Sequence, residues 1–389
     1  MKKKKTVPVN HNSYDTYAEV NLRNLKHNFN LIRKASNKKN KRDNTKICAV
    51  VKANAYGHGM CQVAEELLDN GADYLGTAFI TESVELREYL AARKKNAKII
   101  CLGTITEDEE HFRDVVKHNF EVTLTDVKTA KALDRFARNK NIIVDAHVKI
   151  DTGMNRTGFL LKDAYNAVEE ISKLKNINLK GVYSHYATSE QPGNSYSLKQ
   201  LKRFKDIVTE IESNIIKFDL KHIENSGGIL NFRDDFCNMT RPGILLYGYY
   251  PDKSKTQKEL GIKPVMRMIS KVSQIKELDK GESISYGRKY YTKRKTRIVS
   301  IPIGYGDGYF RGFTNKSEVS INGKRYPTVG TVCMDWIMAD VGISDNIKTN
   351  DKVIIFGPEY SADELAALRK TIPYEIITNV SSRVQRIYI

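Results

Sequence analysis

Long apolar runs are missing from this chain. No stretch approaches the roughly 18 apolar residues that a membrane-spanning helix needs, so no membrane span or membrane partner is expected. The lysine run Lys2–Lys5 has the charge of a signal-peptide start, but no apolar segment follows it, and secretion is not expected. A disulfide frame is missing as well. The five cysteines (Cys48, Cys61, Cys101, Cys237, Cys333) are scattered, odd in number and without a Cys-x-x-Cys pair, which fits reduced thiols in a cytoplasmic protein rather than a cross-linked scaffold or a zinc site. No Gly-x-Gly-x-x-Gly follows the first apolar strand, so a dinucleotide site has little support. Acidic residues are outnumbered, 46 against 64 Lys and Arg, for a net charge of +18. Such a charge could attract nucleic acid. Here the lysines are spread over every helical segment and no arginine-rich run dominates, so the charge reads as solvated surface with a bias toward anionic ligands, and no nucleic-acid partner is expected.

What is present is a soluble composition, 40% hydrophobic and 28% charged over 389 residues. That length suits about two or three domains. The stretch that organises the chain is Ile47–Gly59. Five apolar residues, Ile47–Val51, read as a strand buried on both faces, as in parallel sheets. Lys52 follows at once, and Gly57 and Gly59 turn the chain toward a helix running from His58 to Asn70. A lysine at the end of a buried strand is open to dehydration, which favours the neutral, nucleophilic amine capable of forming a Schiff base. Tyr56 stands in the strand-to-helix turn, where a phosphate could be held.

A polar tail, 1–13, opens the chain, and a helix begins near Asn21 with Leu22, Leu25, Phe29 and Ile32 at helical spacing. Asn37–Asn44 reads as a charged loop. Short apolar runs then alternate with helical segments at Tyr74–Ala78, Ile99–Leu102, Val122–Leu124, Ile142–Ile150, Gly181–Ser184, His222–Glu224 and Met239–Leu246, and the clearest helix carries Leu198, Leu201, Phe204, Val208, Ile211 and Ile215. About eight β-then-α steps suggest a (β/α)8 TIM-type barrel, α/β in class, although spacing alone also allows an open doubly wound sheet. After about residue 255 the runs Val265–Ile275, Arg297–Ile303, Val319–Ile321, Thr328–Ala339 and Lys352–Phe356 are strand-like, with turn signals at Lys280–Gly281 and Asn322–Gly323. One helix, Ser361–Thr371, opens with a capping-box spacing to Glu364. The expected division is therefore a tail at 1–13, a barrel over 14–255 and a mostly β domain over 256–389.

Polar residues gather where barrel strands end. Arg156 follows Asp151 in a glycine-bounded loop, His185 follows Ser184, Asn225-Ser226-Gly227-Gly228 follows Glu224, and Arg241-Pro242-Gly243 follows Met239. In a barrel these ends converge on one face with Lys52, the face on which enzyme sites of this fold are built. Singly, His185 reads as a satisfied buried histidine and Arg156 or Arg241 as surface ion pairs; together they supply an amine, a helix N-terminus and two planar cations.

The segment Ala49–Gly59 closely resembles the pyridoxal-phosphate lysine motif of alanine racemases, and the resemblance continues through His147–Arg156, Ser184–Ala187, Asn225-Ser226, Arg241–Gly248, Ser285-Tyr286-Gly287, Ile303–Tyr309, Cys333-Met334-Asp335 and Pro373-Tyr374-Glu375. It implies a pyridoxal 5'-phosphate enzyme that interconverts L- and D-alanine for peptidoglycan. Lys52 would bear the cofactor and serve one face of the substrate Cα, and Tyr286 from the other subunit of a homodimer would serve the opposite face. A phenol ordinarily keeps its proton near neutrality, and a Tyr286–His185–Arg241 chain would give it cationic help, with Arg241 also facing the pyridine nitrogen. The phosphate would lie among Tyr56, Ser226, Gly243 and Tyr374, with Asn225 and His185 nearby. Arg156, the main chain at Met334 and Tyr305 would receive the amino-acid substrate, and Lys149 would match a lysine that some racemases carry carbamylated. The chain departs from the family pattern at Asn155, where glycine is frequent, at Trp336, where glutamine is common, and at Gln385, where proline is usual. Serine or a basic amino acid as substrate, or a non-catalytic cofactor-carrying barrel, are the alternative readings. The matched Ser285-Tyr-Gly and Cys333-Met-Asp segments argue against the carrier, which lacks that β domain.

Overall fold

The computed structural model describes residues 15–40, 44–232, 235–252 and 259–389, so the expected tail 1–13 lies outside the described residues. Two compact units emerge, Leu22–Val265 and a second made of the N-terminal segment with Met266–Ile389.

The first unit is a barrel of eight parallel strands: Lys46–Val50, Tyr74–Thr77, Ile99–Thr104, Glu121–Leu124, Val144–Asp151, Ile177–Tyr183, Leu220–His222 and Met239–Thr240. The first seven pair successively in parallel, and the eighth pairs in parallel with the first through Met239↔Lys46 and Thr240↔Ile47. The gap between the seventh and eighth is bridged by Asn238 N–H to the Lys221 carbonyl (3.0 Å) and Arg241 N–H to the Glu224 carbonyl (2.8 Å). Cys48, Tyr74, Ile100, Leu220 and Met239, each from a different strand, cluster in the barrel's interior. Helices cover the outside with one apolar face: Leu25, Phe29 and Ile32 from Leu22–Asn40, and Val63, Ala64 and Leu67 from Met60–Asp69, are all essentially sealed from water. Apart from the smaller Ala64, each of these side chains contributes about 1.5–3 kcal/mol by burial.

The helical expectations hold in place and shift at the ends. The first helix runs on to Asn40 instead of yielding to a loop at Asn37, since lysine is a good helix former. The helix after Gly59 starts at Met60 rather than His58, because residues 53–57 turn the other way. In Ser195–Asn214, Leu201, Phe204, Val208 and Ile211 are buried, but Leu198 is half exposed.

In the second unit a six-stranded sheet runs in the order Lys324–Pro327, Glu318–Ile321, Lys352–Phe356, Met266–Lys271, Tyr17–Val20, Gln385–Tyr388, beside a three-stranded antiparallel sheet of Gln274–Leu278, Thr296–Ile301 and Ile337–Asp340. The strand Tyr17–Val20 therefore lies in this unit, antiparallel to Met266–Lys271 and parallel to Gln385–Tyr388. The run expected as one strand, Val265–Ile275, is two. Val272 N–H bonds the Asp351 carbonyl and Ser273 N–H the Ser300 carbonyl, so the chain changes sheets there. Thr328–Ala339 is likewise not a continuous strand. Gly330 adopts φ 78°, and only Ile337–Asp340 pairs as a strand, with an isolated bridge at Thr328. The Asn322–Gly323 turn joins its hairpin with φ 52° and 80°, and Ser361 and Glu364 close the anticipated capping box. A second helix, Pro373–Thr378, follows, with proline at its start.

Candidate active site

The first barrel strand delivers Lys52 into an unusual turn. Ala53, Asn54, Ala55 and Tyr56 all have φ between 52° and 53°, followed by Gly57 at 83°. A left-handed non-glycine residue costs roughly 1–2 kcal/mol, so four in succession need strong local support. Glu82 provides part of it: one carboxylate oxygen accepts from Ala53 N–H and the other from Ala78 N–H, each at 2.7 Å. Gly57 N–H returns to the Ala53 carbonyl, Gly59 N–H to the Asn54 carbonyl, and Met60 N–H to Asn54 Oδ1 (2.8 Å). Tyr56 stacks on Tyr247, with ring centroids 4.8 Å apart, while the Tyr247 hydroxyl donates to the Val50 carbonyl. Both glycines, Gly57 and Gly59, come after these four residues. The turn's core is alanine and asparagine, held left-handed by tertiary contacts.

Burial, then the Arg156 guanidinium, pull the Lys52 ammonium below its ordinary pKa, with Arg241 acting in the same sense and Glu82 against it. Lys149, buried in the fifth strand, is pushed down to about 8 by burial and then by Arg156 and Arg241. Cations from the first, fifth and eighth strand ends thus act on one another, a field that favours neutral amines and an anionic ligand.

Arg241 is buried, and both terminal nitrogens of its guanidinium meet acceptors. NH1 lies 2.5 Å from His222 Nδ1, NH2 donates to the Ser184 carbonyl at 2.8 Å, and His185 Nδ1 is 3.3 Å from NH2. The guanidinium also lies over the Tyr183 ring, 5.0 Å from its centroid. Burial first, then Arg241, hold His185 well below the ordinary histidine pKa, so it is neutral. The expected His185–Arg241 pairing is present, and Asn225 Nδ2 reaches His185 Nε2 at 3.5 Å.

Tyr56, Ser226 and Gly243 form a cradle. Ser226 Oγ accepts from Gly243 N–H (3.0 Å) and Leu245 N–H (3.4 Å), and Asn225 caps the short helix Ser226–Asn231 by accepting from Gly228 N–H. A Cβ at residue 243 would meet the Tyr56 hydroxyl at 2.4 Å, so only glycine lets the two approach.

The loop carrying Arg156 is organised by Asp151, whose carboxylate accepts from the backbone N–H of Gly153, Asn155 and Arg156. Asn155 has φ 56°, a conformation that glycine and asparagine tolerate best, which accounts for asparagine standing where glycine is frequent. Arg156 itself is exposed, and Lys149 Nζ donates to Thr157 Oγ1 one residue further on.

The remaining candidates lie in the second unit, where three loops are tied together. Ser285 (φ 66°) donates to the Thr331 carbonyl at 2.6 Å, and Thr331 Oγ1 donates back to the Tyr286 carbonyl. Tyr305 N–H bonds the Cys333 carbonyl and Gly306 N–H the Met334 carbonyl. Arg383 clamps Asp307 through two bonds and reaches Asp335 at 2.7 Å. Tyr286, Tyr305 and Met334 are thereby brought together on loops of one unit, and they point outward: Tyr286 is 72% exposed. Tyr374 sits, partly buried, in the helix Pro373–Thr378.

Sequence reasoning missed Glu82, which braces the Lys52 turn, and His222, which contacts Arg241. Acidic and imidazole groups beside buried strands were the available signals.

A depressed lysine amine at a strand end, in the field of a buried guanidinium and on the same barrel as a hydroxyl-lined cradle, is the arrangement of a barrel enzyme with its site at the carboxyl ends of the strands. Comparison with known proteins narrows this class. The N-terminal domain of alanine racemase matches residues 20–251 and its C-terminal domain matches 265–388. Alanine racemase 2 of Caldanaerobacter subterraneus is 41% identical over 379 residues, covering 96% of this chain and 95% of that protein. The solved alanine racemase of Clostridium difficile 630 superposes with a TM-score of 0.91 at 36% identity, over 97% of this chain and 96% of that one. That of Bartonella henselae, solved with covalently bound pyridoxal phosphate, gives 0.85 at 29% identity over 97% of this chain and 100% of that one. The chain belongs to the alanine racemase family, whose members are isomerases.

Proposed function

We propose that this protein interconverts L- and D-alanine with pyridoxal phosphate on Lys52, as a homodimer whose subunits complete each other's sites. The observation that carries the reading is Lys52 itself: a partly buried amine with a lowered pKa, at a barrel strand end next to the Tyr56–Ser226–Gly243 cradle. An aldehyde bearing a phosphate dianion fits that donor set, because the neutral amine is the nucleophile it needs and the surrounding cations balance its charge. Bound there, the cofactor supplies the electron sink that loosens the proton on the substrate Cα.

In this reading Tyr56, Ser226, Asn225, Gly243 and Tyr374 hold the phosphate. Arg241, which keeps its protons near neutrality, would stand at the cofactor's ring as a hydrogen-bond donor that does not give up its proton. Lys52 takes and returns a proton on one face of Cα, and the partner subunit's Tyr286 does so on the other. His185 and Arg241, 3.3 Å apart, extend the hydrogen-bond chain that assists that phenol. Arg156, the Met334 main chain and Tyr305 receive the substrate carboxylate. Lys149, with its pKa near 8, has the neutral amine that addition of carbon dioxide requires, and a carbamate there would orient Arg156. Exposure of Tyr286, Tyr305, Met334 and Trp336 on linked loops supports a second copy as the partner. All five cysteines are reduced thiols.

The test follows L-alanine converting to D-alanine with added pyridoxal phosphate, alongside Lys52→Ala and a panel of serine, lysine and arginine. Conversion of alanine that disappears in Lys52→Ala is the expected result. Turnover of another amino acid alone would move the substrate, and a bound, borohydride-reducible cofactor without any turnover would favour a carrier.

A further inference from the structure

Behind Arg241 a line of buried polar side chains runs through the barrel interior. His222 Nδ1 faces Arg241 NH1 at 2.5 Å; His222 Nε2 lies 3.0 Å from His147 Nδ1; His147 Nε2 lies 2.8 Å from Glu121 Oε2. The other oxygen of Glu121 accepts from Lys180 Nζ at 2.7 Å, and Lys180 also donates to Asp145 (2.6 Å). Glu121 opens the fourth strand, whereas Arg241 follows the eighth, so the line spans the barrel from its amino to its carboxyl end. Both imidazoles are completely buried and Glu121 is 5% exposed. The fold makes room for this line: a Cβ at residue 181 would strike His147 Nδ1 at 2.2 Å, so Gly181 is needed for the ring to stand there. Tyr183 stacks flat on His222, centroids 4.8 Å apart and 5° from parallel, and fixes that ring's plane.

The ends of the line have no choice of role. A guanidinium only donates, and an ionised carboxylate only accepts. Burial and the neighbouring Arg241 keep His222 neutral, with its pKa well below the ordinary value. Its Nδ1 must then accept from Arg241, its Nε2–H must donate to His147 Nδ1, and His147 Nε2–H must donate to Glu121.

We infer that Glu121, His147 and His222 are positioning residues for Arg241, a one-directional relay whose acceptor end fixes both imidazole tautomers and so the plane of the guanidinium. The inference rests on the reading above that Arg241 stands at the cofactor's ring. Without an acceptor at Glu121, both imidazole protons are free to move to Nδ1. His222 would then present N–H against the donor NH1 of Arg241, and the guanidinium would swing away from its place.

The test uses the full-length holoenzyme with 15N-labelled histidine, the two rings being assigned from single substitutions. In the wild type, both rings should carry their proton on Nε2 at neutral pH. Glu121→Leu should move the proton of His147 to Nδ1, shift the cofactor's absorption band, and lower kcat about ten- to a hundredfold with KM for alanine little changed. Glu121→Gln keeps an acceptor oxygen and should restore the tautomers and most of kcat. An Nδ1 proton on either ring of the wild type, or a folded Glu121→Leu with unchanged tautomers and kcat, would overturn the relay. Should Glu121→Leu fail to fold, the wild-type tautomers and Glu121→Gln still decide. Arg241→Lys separates the two readings. If it leaves the absorption band and kcat unchanged, the role given to Arg241 fails, while the ring tautomers, which need no cofactor, still report on the relay.

Discussion

The barrel and the C-terminal unit treat unlike side chains in opposite ways. In the barrel one set of charged and polar groups is inside: Lys149, His222 and Arg241 are buried, and each meets a hydrogen-bond partner. In the C-terminal unit large apolar and aromatic side chains are outside, with Tyr286 at 72%, Met334 at 53%, Tyr305 at 44% and Trp336 at 41% exposure. A buried unpaired charge is expensive, so the barrel's polar set must be complete within one chain. Single exposed apolar side chains are ordinary. Here four stand on loops tied by the Ser285–Thr331, Tyr305–Cys333 and Arg383–Asp335 bonds, which the proposal above reads as the surface for a second copy. On that proposal, the barrel supplies Lys52 and most of the phosphate cradle, and the exposed loops of the other unit serve a second copy.

The strongest challenge to this contrast is Lys52→Ala. It should lower racemisation at least ~10^4-fold, removing both the cofactor's anchor and one base, and borohydride should no longer fix cofactor to the chain. Tyr286→Phe should cost about 10^2- to 10^3-fold in kcat while leaving cofactor affinity as it was, since the barrel supplies the cradle; a lost cofactor would break the division of labour. Gly243→Ala should do the reverse. Its Cβ would crowd the Tyr56 hydroxyl at 2.4 Å, and an overpacked site loses about 1–3 kcal/mol, read as a weaker cofactor dissociation constant with kcat largely recovered at saturation. The smallest effect concerns Lys149. In the folded chain it releases its proton near pH 8, against an ordinary value of 10.5. Between these values the unfolded chain binds more protons, so Lys149 makes the cofactor-free protein more stable as pH rises through that window. In carbonate-free buffer, urea midpoints should climb less steeply with pH in Lys149→Met than in the wild type.

Much of this was legible in local sequence. The buried run Ile47–Val51 ending in Lys52, the Asn322–Gly323 hairpin and the Ser361–Glu364 cap are each set by adjacent residues, and they stand where the pattern put them. What escaped depends on contacts distant in sequence. The four-residue strand Tyr17–Val20 exists because Ile269 and Gln385 flank Tyr17, and no local periodicity announces it. The left-handed turn at Ala53–Tyr56 lacks glycine and relies on Glu82 from a later helix. His147 and His222 read as strand residues, and their alignment with Glu121 appears only once the barrel brings its strands side by side. Likewise Leu198 fits the helical stripe, yet Ser197 and Gln200 on either side of it take the buried face and leave it half exposed.

The central claim is that each site joins Lys52 of one chain to Tyr286 of another, and mixing two inactive variants tests it most directly. Lys52→Ala and Tyr286→Phe chains are unfolded together, refolded and assayed for D-alanine. Random pairing makes half the dimers mixed, and each mixed dimer has one intact site of its two, so about a quarter of wild-type activity should return. A mixture no more active than its inactive parents would contradict the account and place both residues of a working site on the same chain.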